Sequence, residues 1–332
     1  MRVGIVYDIF SDYVWRSDDP PDADAEYEPV ETILVIEEAL RWLKHTPVRL
    51  GSPFNLLNAL EKIDVDVVIN ISEGIDGRNR EAYAPILLEM RGIPYVGSDA
   101  LPLSVSLDKA WTKDILLAAG YKTPSYRVYD AAEAVTKASL PADFPLFIKP
   151  RYEGSSKSIT RHSKVEDIDA LREQVHRICT IYKQDALVES FIEGGGEFTV
   201  AVIGHNPPEA MPVLQRAVEK ETRIGLHALD RRGLETPGLA YEIEGDLTRE
   251  LENQLKEVSL GIYNKLECKD FARIDFRVDG EGIPWFLEIN PLPTFAPDGT
   301  FAILAELMGI PYVEFLADTI QKAFERIGVV TT

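Results

Sequence analysis

Basic residues are scarce in this chain of 332 residues. Lys and Arg number 35 against 55 Asp and Glu, which leaves a formal net charge of −20. Binding a polyanion by counterion release needs a basic surface. Nucleic acid and anionic membrane are therefore not expected partners. A compact anion such as ATP still fits, provided a local cluster of Lys, Arg and backbone N–H groups meets it. Cysteine is nearly absent. Cys179 and Cys268 give neither a disulfide framework nor a metal spacing, and predict a reduced, cytoplasmic setting. No apolar run approaches the length of a membrane span. Residues 1–10 carry Arg2 and Asp8 and pass directly into a strand, which predicts no signal peptide. Gly-x4-Gly-Lys-Ser/Thr and Gly-x-Gly-x-x-Gly are both missing, so a nucleotide site here uses neither loop. The five His are scattered without the context of a nucleophilic triad.

What remains is an ordinary globular composition, 45% hydrophobic and 27% charged, long enough for two or three domains. The chain alternates strand and helix, which predicts an α/β fold. Apolar runs at residues 2–7 and 65–71 read as buried parallel strands, with helices at 33–43 and 84–91 and a further strand after 92–97. Residues 11–29 are acidic and proline-containing, and predict a loop. An open parallel α/β domain over residues 1–104 follows. Helices at 106–120 and 165–179 and strands at 144–150 and 186–192 predict a small central lobe, residues 105–192. A large lobe, residues 193–332, holds a strand at 197–203, an irregular stretch at 219–241, a helix at 247–266 and a helix at 301–324.

The strongest chemical signal lies between Phe271 and Phe295. Ala272-Arg-Ile-Asp-Phe276 and Trp285-Phe-Leu-Glu-Ile-Asn-Pro291 flank a turn at Asp279-Gly-Glu-Gly282, and predict a hairpin. Glu288 and Asn290 are two apart and share a strand face. With Asp275 on the neighbouring strand they form a set of hard oxygen donors suited to Mg²⁺. An unpaired carboxylate within such apolar runs is disfavoured, which argues against a plain surface hairpin. Lys149 ends another apolar strand, where it either reaches for solvent or neutralises an anion. The loop Glu153-Gly-Ser-Ser156 after it can close over phosphates with backbone N–H groups.

These motifs, in this order, resemble the ATP-grasp superfamily, and within it the D-alanine–D-alanine ligase family. The resemblance covers nearly the whole chain. It implies an ATP-grasp fold and ATP-dependent carboxylate–amine ligation. Asp275, Glu288 and Asn290 would ligate metal, with two Mg²⁺ ions that Mn²⁺ can replace. Lys109 and Lys149 would contact phosphates, beneath the loop Glu153, Gly154, Ser155 and Ser156. Glu189 and the backbone of Ser190 and Ile192 would read adenine, and Glu197 would hold ribose. Arg273 would stabilise the tetrahedral intermediate, and Ser155 would help hold the first amino acid. A Glu before the first helix would bind the ammonium of that substrate. Glu26, Glu28 and Glu31 are candidates, and Glu28 is the choice made on sequence. Asp108 fits either the family's Asp-Lys pair or a helix cap.

The substrate half departs from the family. A His-Gly and a Gly-Glu-Asp-Gly are replaced by the run from Asn70 to Glu81, which brings Arg78 and Arg80. That arginine pair fits either a substrate carboxylate or structural pairing with Glu73, Asp76 and Glu81. Lys157 and Ser158 stand where an apolar residue and Gly are usual, Thr294 where Gly leaves room, and Asp298 or Gly299 where Ser is expected. Residues 219–238 lack the family's Tyr-containing loop, with Lys220 as a stand-in for its Lys. The expected substrates are an amino acid or short peptide and an amine acceptor. A homodimer is the family's usual assembly. The implied chemistry is attack of a carboxylate on the γ-phosphate, then of an amine on the acyl phosphate, releasing ADP and phosphate. The loops 153–158 and 219–238 are the expected lids. The alternatives are a ligase for other amino acids or peptides, or a non-ligase ATP-grasp kinase or nucleotide-binding protein.

Overall fold

The computed structural model describes residues 1–229 and 240–329. Its first sheet contains β1 (Arg2–Tyr7), β2 (Thr46–Gly51), β3 (Val67–Ile71) and β4 (Tyr95–Val96). The order is β2-β1-β3-β4, parallel throughout. Helices α1 (Val30–Trp42), α2 (Pro53–Ala59) and α3 (Tyr83–Arg91) connect the strands. Every residue of β3 is buried, Asn70 included, as expected for a mainly apolar parallel strand covered on both faces. β2 and α2 are additions to the sequence expectation. Pro47 and Arg49 spoil the apolar pattern of β2, which is tolerated because β2 is an edge strand.

The single helix expected over residues 106–120 is two, α4 (Ala100–Leu107) and α5 (Lys109–Ala118). The chain leaves helical geometry at Asp108 (φ −82°, ψ 90°), whose carboxylate accepts from the Trp111 amide at 3.2 Å. Arg151 fixes that carboxylate with two bonds of 2.8 Å. Asp108 is therefore a cap, and it sets Lys109 at the head of α5.

The central sheet contains β5 (Tyr126–Tyr129), β6 (Leu146–Pro150), β7 (Lys164–Val165) and β8 (Ala186–Ser190). Its order is β5-β8-β6-β7, all antiparallel. Helix α6 (Ile168–Arg177) covers one face and starts where Asp167 accepts from the Asp169 and Ala170 amides. The large sheet joins β9 (Gly194–Ile203), β10 (Glu209–Ala210) and β11 (Leu214–Arg216) to two later strands. The small strands β12 (Val218–Glu219) and β13 (Tyr241–Glu242) pair beside it, near the short helix α7 (Leu226–Leu229). Helix α8 (Arg249–Lys265) buries Leu251, Leu255, Ser259 and Ile262, one stripe at helical spacing. The hairpin β14 (Phe271–Asp279) and β15 (Pro284–Asn290) completes the sheet in the order β10-β9-β14-β15, with β11 also on β9.

The helix expected over residues 301–324 is likewise split into α9 (Thr300–Leu307) and α10 (Tyr312–Ile327), bent by 110°. Gly309 at φ 68° ends the first, and Pro311 cannot continue it. No single described helix is long and apolar enough to cross a membrane. The first core joins Val3, Ile5 and Ile69 to Phe271, Phe301 and Phe324, so the C-terminal helices and the first sheet share one interior. A second core lies between α8 and the other face of the large sheet, through Leu255, Ile262, Phe198 and Ile274. The central lobe has its own.

Candidate active site

The β14–β15 register places Asp275 opposite Glu288 and Arg273 opposite Asn290. Opposed residues in an antiparallel ladder point to the same side, so all four project from one face. Asp275 accepts from the Thr199 hydroxyl at 2.8 Å and from Arg273 at 3.1 Å. Asn290 Oδ1 accepts from the Leu292 amide at 2.8 Å. The cations nearest Glu288 are Lys109 at 3.8 Å and Lys149 at 3.9 Å. Burial alone would raise the Glu288 carboxyl, but Lys109, Lys149 and Arg273 outweigh it and hold the group at about 2.

Lys149 sits at the end of β6 and is buried, with Glu189 of β8 at 3.0 Å. Glu189 also meets Lys113 at 2.5 Å. Lys113 is fully enclosed and donates to the Thr123 hydroxyl at 2.6 Å. Its burial exceeds the pull of Glu189 and lowers its pKa to about 8. For Glu189 burial works the other way, and the two lysines win and lower it. A chain of alternating charge thus runs from Lys113 through Glu189 and Lys149 to Glu288.

Lys109 donates to the Glu153 carbonyl, which ties the head of α5 to the loop 153–158. That loop holds Ser155, Ser156 and Ser158 at φ 46°, 55° and 71°, a left-handed backbone that non-glycine residues adopt at some strain. It is held from outside. The Gly154 amide donates to Glu26 at 2.5 Å, and the Ser158 amide to Asp22 at 2.7 Å. Lys157 reaches back to Glu153 at 2.9 Å and Glu26 at 3.4 Å. Its charge therefore answers these two carboxylates.

Where β8 ends, the Ser190 amide is engaged by the Ser125 carbonyl at 2.9 Å. The Ile192 carbonyl accepts from Arg277 at 2.6 Å. Arg277 is 3% exposed and also meets Glu197 at 3.3 Å and Glu244 at 3.1 Å. Glu197 has His227 on its other side at 3.6 Å. Gly225 lies so close that a Cβ there would fall 2.4 Å from the Glu197 carboxylate, so a side chain at that position would displace it.

One cavity collects Lys109, Lys149, Glu153, Gly154 and Ser156 with Glu189, Ser190, Ile192 and Glu197 and the carboxylates Asp275 and Glu288. A smaller chamber of about 30 Å³ shares Lys109, Gly154 and Glu288 with it and adds Ser155, Arg273 and Asn290. Glu28 lines neither. It accepts from Thr32 at 2.7 Å and Thr294 at 2.8 Å, and ties the segment after β15 to the start of α1. Glu31 is exposed, and it is Glu26 that contacts the loop. Of the arginine pair, Arg80 is buried, but its partners are Glu26 at 2.6 Å and Glu153 at 3.4 Å. Glu73 and Glu81 instead lie side by side in the smaller chamber; burial and then the Glu81 charge raise Glu73 well above the usual carboxylate range, and burial, against Arg80 and with Glu26, raises Glu81 to about 7. Of the expected lid at 219–238, residues 230–238 fall outside the described residues.

Sequence reasoning missed two of these groups. Arg277 was within reach, since Arg273, Asp275 and Arg277 are two apart on one strand. Lys113 looks like one more helix lysine. Glu26 was among the candidate acids, but its meeting with Gly154 across 128 residues has no local pattern to signal it.

The family model for the D-Ala–D-Ala ligase C-terminus matches residues 122–321. A D-alanine–D-alanine ligase of Aquifex aeolicus is 32% identical over 290 residues, covering 87% of this chain and 93% of its own. The crystal structure of D-alanine–D-alanine ligase from Bacillus anthracis complexed with ATP superposes with a TM-score of 0.72. It covers 99% of both chains at 23% identity. That of the VanG D-Ala:D-Ser ligase from Enterococcus faecalis gives 0.70 over 97% of this chain and 99% of that one, at 20% identity.

Proposed function

Since the chain belongs to the D-alanine–D-alanine ligase family of ATP-grasp proteins, an ATP-dependent ligase family, we propose that it joins a carboxylate to an amine through an acyl phosphate. The observation that carries this reading is the shared wall of the two cavities. Glu288 and Lys109 border both the chamber with the adenine-side groups and the one with Arg273 and Ser155. A phosphoryl group passing from ATP to a second molecule needs such a boundary.

Asp275, Glu288 and Asn290 would hold the metal. Two carboxylates and an amide oxygen on one face fit Mg²⁺, which takes the rest of its shell from phosphate and water. Among the described residues no lysine touches Glu288 more closely than 3.8 Å, so a cation can meet its charge directly. Two Mg²⁺ ions, replaceable by Mn²⁺, would supply charge neutralisation at the phosphates. Lys109 and Lys149 would bear on the same phosphates, and Glu197 on the ribose. Glu189 and the Ser190 and Ile192 backbone would border the adenine. The loop Glu153–Ser156 would cover the phosphates and exclude water from the acyl phosphate. Arg273 would face the oxyanion formed when the amine attacks, a cation placed where negative charge develops. Ser155 would contact the first substrate. Glu28, placed on Thr294, would act on the substrate only through the segment after β15, and Glu26 is the acid that reaches the loop.

The test follows the oxygen. A substrate labelled with ¹⁸O in its carboxylate gives up one labelled oxygen to the phosphate released, because that oxygen first bonds to phosphorus and later leaves with it. Labelled phosphate, formed only with amine present, is the expected result. ADP formed without free phosphate would replace this reading with a kinase.

A further inference from the structure

The two arginines of the 74–80 loop have opposite surroundings. Arg80 is buried among Glu26, Glu153 and the Tyr152 carbonyl. Arg78 has a side chain 48% exposed, and its nearest carboxylate, Asp108, is 4.0 Å away. Asp108 is already held by both bonds from Arg151 and caps α5. What positions Arg78 is aromatic. Its guanidinium lies 4.6 Å from the centre of the Trp111 ring and 5.8 Å from that of Tyr152. The group is thus oriented while, among the described residues, its one close carboxylate stands 4.0 Å away and is already held by Arg151.

Arg78 borders a cavity of about 510 Å³ between the segment 13–27, the 74–80 loop and the central lobe. The other cations on its described wall are each paired. Arg16 meets Asp76 at 3.1 Å, Arg80 meets Glu26, Lys157 meets Glu153 at 2.9 Å, and Lys183 bonds Asp18. Among the described residues, Arg78 is the one cation of this wall whose carboxylate contact is no closer than 4.0 Å. The cavity backs directly on the site. Glu153 and Lys157 line both it and the nucleotide cavity, and Glu26 on its wall bonds the Gly154 amide.

We infer that this cavity receives the distal part of the first substrate, and that this part ends in a carboxylate taken by Arg78. The substrate class is then an amino acid or short peptide with a second carboxylate. The methyl group of alanine would leave so large a polar space unfilled. A guanidinium held flat by two rings matches a carboxylate with two parallel N–H bonds. The inference rests on the ligase reading for the word substrate, but the binding it asserts does not need turnover.

The experiment is calorimetric titration of the full chain, with Mg²⁺ and a non-hydrolysable ATP analogue present. The probes are D- and L-glutamate, Ala-Glu and Glu-Ala, each against its glutamine isostere. At least one acidic probe is expected to bind about 10- to 100-fold tighter than its isostere. Arg78→Met should erase that difference, and Arg78→Lys should restore part of it. Arg78 is half-exposed, so either variant keeps the fold. Equal affinity for acidic and amide probes, or a preference that survives Arg78→Met, overturns the inference. With ATP in place of the analogue and amines added, Arg78-dependent binding that gives no product would uphold the cavity and remove the ligase reading instead.

Discussion

Asp275 and Glu288 stand opposite each other across the β14–β15 ladder, with Thr199 and Arg273 bracing one and Lys109 and Lys149 flanking the other. Like charges directly opposed on a sheet repel. They are kept together by the surrounding cations, and a bound divalent ion would relieve them further.

The first prediction concerns that pair. Glu288→Gln keeps the shape and removes the charge. It is expected to lower ATP turnover roughly 100-fold or more, the scale of losing one charge-stabilising group, and to weaken Mg²⁺ dependence in a metal titration. The carboxyl is held at about 2, below its ordinary value of 4.5. Its contribution to stability is therefore full above 4.5 and lost as pH falls toward 2. Acid unfolding of Glu288→Gln should show a shallower decline between those values.

Arg277 braces the segment proposed to border the adenine, through Ile192 and Glu197. Arg277→Met leaves the Ile192 carbonyl and Glu197 without this donor. KM for ATP is expected to rise about tenfold, the value of one charge-assisted bond, with a smaller change in kcat. Steady-state kinetics at saturating second substrates separates the two.

Glu26 and Arg80 form a buried pair, each 4% exposed at the side chain and 2.6 Å apart. Removing Glu26 leaves the buried Arg80 charge with only its longer contact to Glu153, 3.4 Å. Glu26→Gln should destabilise the fold by about 3–5 kcal/mol. Glu26→Gln with Arg80→Met should lose less than the two single changes added, because the stranded charge goes too. Urea unfolding of the four proteins closes the cycle.

The Glu73 and Glu81 carboxyls give a pH signature of opposite sign. Burial and then neighbouring charge raise both, Glu81 to about 7 despite Arg80. A raised acid contributes its stability below the unfolded value of 4.5 and loses it as pH rises through about 7. Without ligand, unfolding midpoints should fall between pH 4.5 and 7, and Glu81→Gln should flatten that fall.

Much of the ATP half was legible because its signals are local. Alternation placed Glu288 and Asn290 on one face, and the apolar run before Lys149 marked a buried strand ending in a cation. The helix over 106–120 failed at one residue, Asp108, because Arg151, 43 positions on, decides its geometry. The choice of Glu28 over Glu26 turned on contacts with Thr294 and Gly154, which lie 266 and 128 residues away. The arginine pair could not be divided either. Position in the loop makes Arg78 and Arg80 equal, and only the enclosure of Arg80 separates them.

The central claim is that the Asp275–Glu288 face and the chamber behind it turn ATP into an acyl phosphate for an amine. The most direct measurement is ADP and phosphate release from Mg·ATP over pairs of D- and L-amino acids and short peptides, with product masses recorded. The expected result is equal amounts of ADP and phosphate, a condensed product from at least one pair, and loss of both in Glu288→Gln. Undiminished turnover in Glu288→Gln, or no amine-dependent phosphate from any pair, would contradict it.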